Sequence, residues 1–106
     1  MPFPTDLLVV DVIIDPSVED KWNRWYDEVH LPEIIDCPGF VQSARYRSVE
    51  RDGKVHYITL YELRNLEALN SSEFARRRGW GPFADKVDAT VRAYRRISAL
   101  GEGSSE

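Results

Sequence analysis

His30 is the residue of this sequence best suited to move a proton near neutral pH, because a free imidazole titrates at about 6.5. Tyr26 precedes it by four residues in the run Trp22-Asn23-Arg24-Trp25-Tyr26-Asp27-Glu28-Val29-His30. On a helix that spacing puts both side chains on one face. The tyrosine hydroxyl could then donate to an enolate or phenolate oxygen while His30 takes or gives the proton. Each residue also has a plain structural reading. His30 could close the C-terminus of its helix, where the dipole favours a cation, and Tyr26 could pack with its hydroxyl at the surface. Trp22 shares this stripe with Tyr26 and His30, while Val18, Trp22, Trp25 and Val29 line a neighbouring helical face; Trp22 and Trp25 read as core or as an aromatic wall for a planar substrate.

Tyr46 and Tyr61, on later strands, could turn a hydroxyl into the same space. Asp11 is the one charge in the apolar run Leu7 to Ile14, and a buried carboxylate is costly unless paired, hydrogen-bonded or protonated. Two readings stand for it: it shares a proton with His30, or it pairs with Arg45 or Arg92. The spacing His30-x-x-Glu33 invites a metal, but the chain has only two histidines and one cysteine. A tetrahedral zinc site wants more ligands than that, so no metal is expected. Haem remains an alternative, since one histidine suffices as its axial ligand. No glycine-rich phosphate loop, nucleophile elbow or Cys/His nucleophile pair is present.

These side chains must be positioned by a short chain of 106 residues, the size of one domain, expected to span residues 1–100 with a flexible tail at 101–106. Fourteen Lys and Arg against eighteen Asp and Glu leave a formal charge of −4, which argues against bulk nucleic-acid binding. The apolar run at Leu7–Ile14 is far short of the ~20 residues of a membrane helix. The N-terminal residues lack a basic segment, so no signal peptide is expected. A single cysteine, Cys37, allows no intramolecular disulfide and fits a reducing cytoplasm.

Asp6–Asp15 reads as a β-branched strand closed by Asp15-Pro16. Ser17–His30 reads as a helix with Glu19 and Asp20 in its first turn, broken at His30–Leu31 because Pro32 disfavours helical geometry before it. Phe40–Val49 and Val55–Leu63 read as a hairpin around Asp52-Gly53. Leu66–Arg78 is helical in composition, interrupted near Asn70-Ser71-Ser72, with Asn70 and Glu73 resembling a capping box. Val87–Leu100 is the last strand. The order β-α-β-β-α-β predicts an α+β, ferredoxin-like fold, a four-stranded antiparallel sheet with helices on one face. The first strand is apolar on both parities, so the far face of the sheet needs cover, and a symmetric homodimer would supply it.

Trp25-Tyr26-Asp27-Glu28-Val29-His30-Leu31-Pro32-Glu33, then Cys37-Pro38-Gly39-Phe40 and Ala44-Arg45-Tyr46, resembles the dimeric α+β barrel superfamily, with the EthD-like (ethyl tert-butyl ether degradation-like) proteins as the nearest flavour. Trp80-Gly81-Pro82-Phe83-Ala84-Asp85 resembles the same group and adds Trp80 and Phe83 as wall candidates. The resemblance implies a pocket between helices and sheet, with a histidine at the position of His30 as its main polar group. It implies members that are cofactor-free cyclases and isomerases, monooxygenases or haem proteins. The reading is a cofactor-independent enzyme that moves a proton on a small oxygenated, aromatic or polyketide-like metabolite, with His30, Tyr26 and Tyr46 reacting. Trp22, Trp25, Asp11, Tyr61, Trp80 and Phe83 would hold the substrate. The alternatives are a binding protein for a hydrophobic metabolite and a haem-dependent oxidase.

Overall fold

A computed structural model describes residues 3–48 and 55–101. Its four strands are β1 (Asp6–Ile14), β2 (Phe40–Arg47), β3 (His56–Leu63) and β4 (Val87–Arg95). They form one antiparallel sheet in the order β2-β3-β1-β4. The fold is the ferredoxin-like α+β arrangement expected from the element order. Side chains alternate along each strand, so Leu8, Val10, Val12 and Ile14 of β1 and Tyr57, Thr59, Tyr61 and Leu63 of β3 are buried on one face. The helices cover that face: Trp22 packs edge-on against Tyr57 and Phe74 against Phe40. The tight Asp-Gly turn expected at Arg51–Lys54, and residues 102–106 of the expected tail, lie outside the described residues.

The first helical segment differs from expectation in an informative way. It does not break before Pro32. A 3₁₀ turn (Pro16–Val18) leads into α1 (Glu19–Trp25), a π-helical turn (Tyr26–His30) and α2 (Leu31–Ile35). Asp15 starts the run by accepting a hydrogen bond from the Ser17 amide at 2.9 Å. Leu31 keeps right-handed helical angles, and its amide donates to the Tyr26 carbonyl, five residues back. A π turn holds one extra residue. That shift of the hydrogen-bond ladder lets the helix pass Pro32, which has no amide hydrogen to donate.

The second helical segment is interrupted as expected, into a 3₁₀ turn (Leu66–Asn70) and α3 (Ser72–Arg77). Its cap is Ser71 rather than Asn70: the Ser71 hydroxyl accepts from the Phe74 amide at 3.0 Å. The last strand is shorter than expected: it ends at Arg95, which pairs with Asp6, the first residue of β1.

The Pro38-Gly39 turn joins α2 to β2. Gly39 has φ +84°, and a Cβ there would meet the Ala68 Cβ at 2.7 Å, so only glycine fits. Immediately after it, β2 carries a bulge between Phe40 and Gln42. The extra residue inverts the parity of everything downstream. Arg45, opposite Thr59, therefore turns toward the helices, while Tyr46, opposite Ile58, turns away.

Candidate active site

A cavity of about 580 Å³ opens between the helical layer and the β1–β4 side of the sheet. Leu8, Val10, Val91 and Ala93 form its floor, and Ile34, Leu69 and Phe74 its flank. The polar groups on its wall include His30, Tyr26 and Tyr61. All three are buried, at 5%, 1% and 2% exposure.

The π turn places His30. Its ring stacks on Trp25 at 4.8 Å with planes 10° apart, meets Tyr26 edge-on at 5.1 Å, and faces Trp80 at 5.7 Å. Burial among these rings pushes its pKa below the usual imidazole value, and the Glu33 carboxylate pulls it partly back. His30 Nδ1 lies 3.6 Å from Glu33 Oε1. A carboxylate on that side favours the tautomer protonated at Nδ1 and leaves Nε2 as the basic nitrogen.

The two tyrosine hydroxyls touch at 3.0 Å. Burial raises the pKa of both, most strongly for Tyr61, whose partner hydroxyl raises it further. Hydrogen bonds to Thr59 and Tyr61 and the charge of Arg45 act the other way on Tyr26. Both phenols therefore stay protonated at neutral pH. In such a pair one hydroxyl is spent on the other, and the second keeps its proton for a ligand oxygen.

Arg45 stands behind this pair. Its guanidinium carbon lies 4.3 Å from the Tyr26 ring centre and 5.0 Å from that of Trp22. It donates to Asp27 Oδ1 and Asn23 Oδ1, each at 2.7 Å. Asn23 in turn donates to the Tyr57 hydroxyl at 2.9 Å, and Tyr57 donates to Glu19. This network ties α1 to β2 and β3 beneath the site.

The structure thus brings His30, Tyr26, Tyr61 and Trp80 together on the cavity wall. Trp22 is fully buried behind Tyr26, and Trp25 backs the imidazole. Phe83 packs on Trp25 at 5.4 Å, behind the wall rather than on it. Gly81 lets this loop approach, since a Cβ there would meet Trp25 at 3.1 Å and φ is +51°. Tyr46 and Asp11 do not reach the site. Tyr46 is 54% exposed on the far face of the sheet, the consequence of the β2 bulge. Asp11 also faces that side, and its carboxylate lies 3.9 Å from His56 Nδ1 rather than beside His30, Arg45 or Arg92. Arg45 took the inward place that the sequence alone offered to Tyr46. Among the described residues no cluster of three or more His, Cys, Asp or Glu could hold a metal ion.

A family model described as "Domain of unknown function (DUF4286)" matches residues 7–79. The chain belongs to the DUF4286 family. It is 27% identical over 96 residues to core atranone cluster protein 1 of Stachybotrys chlorohalonatus, over 82% of this chain but 41% of the relative, so it spans about two-fifths of that protein's length. Among solved structures it resembles an EthD family protein of Bacillus halodurans, with 13% identity, a TM-score of 0.64, and 87% of this chain and 99% of the other covered. It also resembles SnoaB, a cofactor-independent oxygenase of Streptomyces nogalater, with 13% identity, a TM-score of 0.63, and 92% and 99% covered. The haem degrader MhuD of Mycobacterium tuberculosis, solved with two haems in its active site, is similar at 14% identity and a TM-score of 0.65, with 91% and 99% covered. These solved structures share the ferredoxin-like α+β fold of this DUF4286 member.

Proposed function

We propose that this DUF4286 chain is a cofactor-independent enzyme that moves a proton next to a carbonyl of a small oxygenated, aromatic or polyketide-like metabolite. His30 Nε2 takes a proton from the carbon beside the carbonyl. The C–H electron pair moves into the new C=C bond and the carbonyl π pair onto oxygen, giving an enolate. That oxygen accepts a hydrogen bond from the Tyr26–Tyr61 pair. Return of the proton to another carbon is isomerisation, attack of the enolate carbon on a second carbonyl is ring closure, and loss of a β-substituent is elimination.

One observation carries this reading: a buried imidazole held in its neutral form and a hydrogen-bonded tyrosine pair open onto the same largely apolar cavity. The cofactor-independent oxygenase among the structural relatives supports cofactor-free chemistry on this fold. The haem-bound relative raises haem as the alternative. His30 is the one imidazole lining this cavity among the described residues, and Trp25, Tyr26 and Trp80 crowd its ring at 4.8 to 5.7 Å. That packing suits a stacked base better than an axial ligand.

The far face of the sheet supports a homodimer. Leu7, Val9 and Ile13 of β1 and Ile58 and Leu60 of β3 lie there half-buried, with Tyr46 and Tyr94 exposed beside them. A second copy laid sheet to sheet would remove that apolar surface from water.

The test is a screen of enolisable aromatic ketones and polyketide-like compounds for conversion, repeated with His30→Gln. Conversion by the wild type and a loss of roughly 10²–10⁴-fold in the folded variant supports the reading. Binding without conversion assigns the chain to the binding proteins instead. A Soret band on reconstitution with haemin, together with activity that requires it, would replace the mechanism.

A further inference from the structure

Arg78 is a cation with no assigned task at the mouth of this cavity. It ends α3 with extended backbone angles, and its amide closes the helix on the Phe74 carbonyl at 2.9 Å. Its neighbour Arg77 is occupied: it donates to the Glu33 carbonyl at 3.2 Å and to Asp36 Oδ2 at 3.4 Å. Among the described residues the Arg78 side chain has no such acceptor. It is exposed, yet it lines the cavity together with His30, Tyr26 and Tyr61. Among the described residues no Asp or Glu lines that cavity. The guanidinium at this rim stands against a formal charge of −4 for the chain as a whole. The local field favours an anion there although the protein as a whole repels one.

We infer that the substrate of this site carries a carboxylate, and that Arg78 holds it at the cavity mouth while the aromatic or enolisable part enters toward His30. A guanidinium fork matches a carboxylate in two parallel hydrogen bonds, which would fix the orientation as well as the affinity. Arg78 is thus a specificity-determining residue, remote from the reacting carbon. The inference rests on the cavity being the small-molecule site proposed above.

Binding of two nearly isosteric probes, 2-naphthoate and neutral 2-naphthamide, tests it by calorimetry without requiring turnover. The wild type should bind 2-naphthoate roughly ten-fold more tightly at low salt, and the preference should shrink as salt screens the exposed charge. Arg78→Gln should erase the preference while leaving 2-naphthamide affinity unchanged. Arg76→Gln, which removes the same charge two residues away, should retain it. Equal binding of the two probes by the wild type, an equal loss in both variants, or no binding of either probe overturns the inference. The proton-transfer reading is decided separately by His30→Gln, so the two can fail independently.

Discussion

The guanidinium of Arg45 lies over the ring of Tyr26 at 4.3 Å, because the β2 bulge turns Arg45 rather than Tyr46 toward the helices. Through Asn23 and Asp27 it also clamps α1 and the π turn to β2. Replacing it with methionine keeps much of the volume but leaves Asn23 Oδ1 without its donor and Tyr26 without the cation. Arg45→Met should cost about 1–3 kcal/mol of stability in urea denaturation. An unchanged midpoint would show that the network holds nothing together.

Tyr26→Phe and Tyr61→Phe each remove one hydroxyl of the 3.0 Å pair. Each should lower turnover by roughly 10- to 10³-fold on a substrate identified by the screen, the scale of losing an oxyanion donor. The double variant should lose much less than the product of the two, because the hydroxyls act as a unit. Independent, multiplicative losses would separate their roles.

His30 also links the site to stability. Burial lowers its folded pKa below the ordinary value of 6.5, so the unfolded chain binds the proton more readily than the folded one. Above 6.5 both states are neutral there and nothing is lost. As pH falls through 6.5 toward the lower folded value, stability declines, and the loss is complete below that value. Thermal melts from pH 7.5 to 5 should therefore fall more steeply for the wild type than for His30→Gln. Parallel slopes would mean that the imidazole is not held neutral.

The proposed sheet-to-sheet dimer can be tested at Leu60, which lies on the open face opposite Ala44 and Val9. Light scattering should give twice 12.3 kDa for the wild type and the monomer mass for Leu60→Lys. A wild-type monomer would contradict the dimer.

The fold was legible because hydrophobic parity and turn residues act locally. β1, with its β-branched run and closing Asp15-Pro16, and the interruption before α3 followed from short-range rules. Two features did not, and both are insertions of one residue. The π turn is invisible to a rule that sees Pro32 and ends the helix, since the widened turn depends on how Tyr26 and His30 pack against Trp80 and the sheet. The β2 bulge leaves Phe40 facing the core and turns Tyr46 outward, and nothing in the residue types marks where the extra residue enters. His30 and Tyr26 were legible as a pair because a one-turn spacing survives the change from α to π geometry. The partnership of Tyr26 with Tyr61 needed the β3 register.

The most direct test is hydrogen–deuterium exchange at the α-carbon of an enolisable aromatic ketone such as 2-tetralone in D₂O, followed by NMR against pH. The account predicts wild-type catalysis that rises through one ionisation below pH 6.5 to a plateau, and His30→Gln, folded by circular dichroism, reduced by roughly 10²-fold or more on that plateau and without that rise. Exchange by His30→Gln at the wild-type rate with the same pH profile would contradict it.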